Sequence, residues 1–149
     1  MREDRKKPYQ VLLDKMKSAY AAEHYHEVTW LAYRVLEDRL GSVLRQSGGA
    51  TFGNHRPIQT LGPQIGELSS RRERDPLLGE AFSAELMRQL HDWKEQRDTF
   101  AQAVAAGAPP FEQIGQDAFQ LAQRGLALAN LACAATRQFK RQRALRAAA

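Results

Sequence analysis

Apolar residues in this chain recur at the spacing of an α-helix, and nowhere do they alternate at period two. That excludes a sheet and predicts an all-α fold. The stretch 86–104 shows the pattern most fully. Wound at ~100° per residue, Leu86, Leu90, Trp93, Phe100, Ala101 and Val104 share one face, within an arc of roughly 100°. Arg97 projects from the middle of that arc. A guanidinium is always charged, and burying it unpaired is costly. Arg97 must therefore meet a carboxylate in the core or open onto a polar cleft. His91, Asp98 and Gln102 lie on the flank of the same face.

The 149 residues suffice for one domain with a proper core, placed at about residues 8–140 with a basic segment over 137–149. The formal charge of +5 suits a polyanionic partner. The lone cysteine, Cys133, rules out an intramolecular disulfide and reads as a small core residue among Ala and Leu. The charged N-terminus lacks the apolar core of a signal peptide, and no apolar run is long enough to span a bilayer. A cytoplasmic protein without membrane contact is the expectation.

In chain order, Pro8 suits the first turn of a helix carried to Glu23 by Val11, Leu12, Met16, Ala19 and Tyr20. A second helix follows over about Glu27–Gln46, stopped by Gly48 and Gly49. Its wide apolar arc makes it central, and Arg39 falls inside that arc. Residues 48–60 read as a loop, Leu61–Ser70 as a short helix, and 71–76 as a charged turn. The helix bearing Arg97 is expected over about Gly79–Ala106, and the last over about Phe111–Arg143. Together these predict an antiparallel bundle of four long helices plus one short helix.

The last helix carries a stripe of small residues: Gly115, Ala118, Ala122, Gly125, Ala129, Ala132 and Cys133. Small residues let another helix approach closely. Packing inside the monomer is the preferred reading, and a dimer interface the other. Beyond the stripe, Arg137, Lys140, Arg141, Arg143 and Arg146 form a basic segment able to contact phosphate backbones.

The four histidines, His24, His26, His55 and His91, have no metal-ligand spacing, and no phosphate-loop or nucleophile-elbow motif is present. No metal or cofactor site is expected.

The segment Leu31–Leu40 with Val43–Arg45, preceded by Ala19–Tyr25, resembles the opening helix pair of HEPN-type domains, small all-helical domains of prokaryotic toxin and defence systems. Residues 93–102 resemble the family signature, an Arg and a polar residue followed by a His. Arg97 matches the arginine, Asp98 stands where Asn is common, and Gln102 stands where the His would fall at four-residue spacing. The resemblance covers about residues 8–140. It implies a dimeric, metal-independent endoribonuclease in which His moves protons and Arg stabilises phosphate charge. Gln102 can only hydrogen-bond, so catalysis is expected to be impaired.

The resulting expectation is a HEPN-like, homodimeric protein that binds RNA or a nucleotide-associated partner in a defence or toxin–antitoxin setting. Arg97, Asp98 and Gln102 would form the degenerate catalytic motif. Arg39, His91, Arg137, Lys140, Arg141 and Arg143 would contact nucleic acid. The alternatives are a non-enzymatic interaction subunit of a defence or ribonucleoprotein complex, and an active ribonuclease. For Arg97, a carboxylate partner from the second helix, Glu37 or Asp38, is expected over Asp98, because adjacent side chains on a helix diverge.

Overall fold

The computed structural model describes residues 6–51 and 56–149. The start of the N-terminal lead-in, the middle of the 48–60 loop and His55 lie outside the described residues. Among the described residues six helices follow one another: α1 (Pro8–Ala21), α2 (Tyr25–Gln46), α3 (Leu61–Arg72), α4 (Pro76–Ala81), α5 (Ala84–Ala105) and α6 (Phe111–Ala148). Among the described residues the sole β feature is an isolated bridge between Thr51 and Pro57. The all-α reading holds.

α6 runs past the expected end at Arg143 to Ala148, α1 stops at Ala21 and α2 starts at Tyr25, each within a few residues of expectation; two larger differences have local causes. The helix expected over Gly79–Ala106 is two helices, α4 and α5, separated at Phe82 and Ser83. Asp75 caps α4, its carboxylate accepting from the Leu77 and Leu78 N–H groups at 3.1 and 3.2 Å, and Pro76 takes the first helical position. Ser83 caps α5, its hydroxyl accepting from the Leu86 N–H at 3.1 Å. The described residues thus form six helices rather than five.

The turn expected at 71–76 is also different. α3 runs on to Arg72, and Arg71 is buried. Its guanidinium donates to the Leu44 carbonyl at 2.9 Å, the Gly49 carbonyl at 2.6 Å and the Ser47 hydroxyl at 3.2 Å, and pairs with Glu67 at 3.0 Å. It therefore closes the C-terminus of α2, where orphan carbonyls and the helix dipole favour a cation. Gly48 and Gly49, at φ of 127° and 99°, let the chain turn away there.

α2 is central, packed on α1, α3 and α6. Tyr25 meets Phe119, Ala32 meets Gly125 and Ser42 meets Lys140, so α2 and α6 run parallel. α5 runs antiparallel to α6, with Trp93 beside Leu121 and the Leu86 end beside Leu131. The small-residue stripe lies inside the monomer: Ala118, Ala122, Gly125, Ala129, Ala132 and Cys133 are all buried, and only Gly115 of the set is exposed. The preferred reading of that stripe holds.

At the centre of this interface the fully buried Trp93 donates its indole N–H to the Leu121 carbonyl at 2.9 Å and brings Cζ2 and Cε2 against Gly125. A methyl group at 125 would stand 2.7 Å from Trp93 and 3.1 Å from Ala32. The indole cannot retreat without losing its hydrogen bond. Gly125→Ala is therefore expected to destabilise the fold by about 1–3 kcal/mol, despite Ala's higher helix propensity. Urea denaturation of the two proteins checks this, and an unchanged midpoint would contradict the close approach.

Candidate functional site

The two arginines singled out from the sequence lie at different faces of α2, Arg39 on that helix and Arg97 reaching it from α5. On that helix His26, Thr29, Trp30, Tyr33 and Glu37 fall along one stripe at ~100° per residue, and Arg39 and Ser42 lie roughly 140–160° from the centre of that stripe. The first stripe faces α5. The second faces α1 and α6.

On the α5 side, Arg97 is not buried. Its side chain is 30% exposed, and its guanidinium lies over the Tyr33 ring at 4.5 Å. Its Nη1 donates to the Asp98 carboxylate at 3.0 Å. This corrects the expectation of a partner on α2. The long side chain folds back across the ring, so the guanidinium reaches its sequence neighbour although the two Cβ directions diverge. Glu37 remains close enough to feel the Arg97 charge, but it pairs with Arg34 at 3.5 Å. Asp98 is gripped from its other oxygen by Lys94 at 2.9 Å. Burial alone would raise the Asp98 carboxyl, but the hydrogen bonds from Lys94 and Arg97 hold it below the usual aspartate value. Among the described residues no acceptor meets the remaining Arg97 donors.

Beyond Trp93 the apolar arc of α5 is not sealed as expected. Phe100 and Val104 are half-buried and Ala101 is exposed. Here α2 and α5 approach through side chains, with Tyr33 against Trp93 at 6.5 Å and His26 stacked on Phe100 at 5.8 Å. Between them is a cavity of about 310 Å³ lined by His26, Thr29, Trp30, Arg97, Phe100 and Val104 among others. Sequence reading passed over His26, Trp30 and Tyr33. Their spacing, with Glu37, of four, three and four residues was the available signal.

On the α1–α6 side, Arg39 is nearly buried, with 11% of its side chain exposed. It stacks on Tyr9 at 3.7 Å and pairs with Asp38 at 2.7 Å. Lys140 reaches across from α6 to donate to the Ser42 hydroxyl at 2.7 Å. Burial pushes the Lys140 ammonium below its ordinary range, and Arg39, Lys7 and Arg45 push it the same way, opposed by Asp38. This is a cluster of cations with too little negative charge. Arg137, Arg141 and Arg143 are exposed on α6.

The structure therefore divides the expected residues. Arg39 and Lys140 come together. Arg97 and Asp98 come together on another face. His91 and Gln102 are exposed on α5. Cys133 is buried, and burial raises its thiol pKa, which leaves it an inert packing residue. Among the described residues, no group of His, Cys, Asp and Glu is arranged to hold a metal, and no helix is long and apolar enough to cross a membrane.

The Asp98 pairing has a consequence in acid. A carboxyl with a lowered folded-state pKa stabilises the protein above its unfolded value, and that contribution is lost as pH falls through the folded value. Titration of Asp98 by carboxyl-detected NMR is expected to give a midpoint below 3.8, and Lys94→Met is expected to raise it. A midpoint that Lys94→Met leaves in place would refute the bridge. Comparison with known proteins finds no matching family model, no matching curated protein and no matching solved structure.

Proposed function

We propose that this chain is a HEPN-like protein that binds RNA through the basic face formed by α1, α2 and α6, without cleaving it. The single observation behind this reading is the half-buried Lys140, which reaches across to Ser42 beside Arg39, with burial first and then the charges of Arg39, Lys7 and Arg45 disfavouring its ammonium. Holding cations together raises the free energy of the empty surface, and a phosphate placed among them relieves it. The exposed Arg137, Arg141 and Arg143 extend the same helix as flanking phosphate contacts. The choice of RNA over other polyanions follows from the resemblance, as do a homodimeric state and a defence or toxin–antitoxin setting. Gln102 supports the absence of cleavage, because an amide moves no proton.

Fluorescence anisotropy with a labelled single-stranded RNA across a salt series tests the reading. Arg39→Gln and Lys140→Gln are each expected to weaken binding regardless of RNA sequence. Each should also reduce the slope of log K against log salt by ~0.7. No retention of RNA at low salt, or a wild-type slope in the folded double variant, would overturn it.

A second reading is a metal-independent endoribonuclease. The observation that favours it is the cavity wall shared by His26 and Arg97, which brings an imidazole near the motif arginine in place of Gln102. His26 would move the proton from the ribose 2′-OH, and Arg97 would stabilise the charge developing on phosphorus. Incubating the protein with mixed RNA in chelator checks it: cleavage is expected, and folded Arg97→Ala and His26→Ala variants should lose it. Absence of cleavage, or wild-type cleavage by either variant, would sink this second reading.

A further inference from the structure

The cavity between α2 and α5 is built differently from the basic face. Its walls are apolar and aromatic: Phe100, Ala101, Val104 and Ala105 from α5, and Trp30 from α2. Trp30 is 57% exposed, whereas the other tryptophan, Trp93, is fully buried. Leaving so large an apolar ring in water is unfavourable unless something covers it. Opposite the apolar wall, the His26 ring is stacked on Phe100, with their planes 26° apart. Polar groups are few. Arg97 supplies one fixed cation, already oriented by Tyr33 beneath it and Asp98 beside it, with donors to spare. Thr29, 8% exposed, lines the same cavity and carries a buried hydroxyl without a hydrogen-bond partner. Apolar walls with one or two placed polar groups are the usual composition of small-molecule sites, and about 310 Å³ lies at the small end of their range.

A larger cavity of about 470 Å³ lies between α5 and α6 and makes a poorer case. Its cation, Arg124, is engaged by Gln96, and Glu95 and Asp117 give the rim negative charge.

We infer that the α2–α5 cavity is a binding site for a planar aromatic ring carrying one anionic group, the ring lying against Trp30 and the anion on Arg97. The ring covers the exposed indole face by stacking. The anion takes the free guanidinium donors in a charge-assisted contact, while Lys94 keeps the Asp98 carboxylate compensated. A nucleoside monophosphate and an aromatic carboxylate both present this chemistry. The inference does not depend on RNA binding through the basic face, which lies on another side of α2, although it shares Arg97 and its cavity with the ribonuclease reading.

Isothermal titration calorimetry of the full chain with AMP and with indole-3-acetate tests it and separates the two sources. Adenosine serves as the control without an anion, and inorganic phosphate as the control without a ring. At least one of the two ring-bearing anions is expected to bind at one per chain, tenfold or more tighter than either control. Trp30→Ala and Arg97→Gln should each weaken that binding at least tenfold, while Trp30→Phe, which keeps a ring, should largely retain it. If neither ring-bearing anion binds the wild-type protein, or if folded Trp30→Ala and Arg97→Gln bind like wild type, the site is refuted. Loss of RNA retention with this binding intact would overturn the RNA reading alone.

Discussion

The contact of Trp93 with Gly125 is the constraint on which the rest of the bundle depends. α5 brings in the largest buried side chain, and α6 answers with no side chain at all. Ala32 stands against the same glycine, so one point on α6 sets its distance from both α2 and α5. The small residues above and below, Ala118, Ala122, Ala129, Ala132 and Cys133, extend that closeness along the helix. Close backbone approach there uses up the space between α2 and α6. It leaves α2 and α5 farther apart, joined by rings rather than backbone, and a cavity opens where Trp93 no longer fills the gap.

Three arginines show how one residue type takes different roles in one fold. Arg71 is held by backbone carbonyls from the end of α2 and the following loop, and closes a helix terminus. Arg39 and Arg97 each lie on a tyrosine ring with an aspartate one residue away in sequence. Arg39 is nearly buried among other cations, and Arg97 stands at the wall of a cavity with donors unused. The first is part of the scaffold. The other two stand on surfaces with unmet electrostatic demand, and the functional readings rest on them.

The central helix therefore presents two chemistries. Toward α1 and α6 it offers excess positive charge around Ser42. Toward α5 it offers rings and one oriented cation around Trp30. A helix 22 residues long can do this because side chains about 100° or more apart around its axis do not compete for the same space. The two faces share a scaffold but no side chain, so occupancy of one leaves the other chemically intact.

What the sequence determined by itself was local. Helical spacing located nearly every helix, glycines marked the end of α2, and the small residues of α6 announced a close packing surface. These signals are short-range, since each depends on neighbours within a turn or two. The α4–α5 break was legible too, in the capping residue Ser83, although the apolar period ran through it. The tertiary structure decided which arginine was buried. Arg71 sits in a stretch that reads as a charged turn, and its backbone carbonyl acceptors lie twenty or more residues earlier in the chain. It also decided that Arg97 would pair with its neighbour over a tyrosine, and that His26 and Trp30 would share its cavity. Burial and pairing of a cation depend on which distant elements bring acceptors and rings to it. The periodicity of one helix says which way a side chain points, not what it will meet.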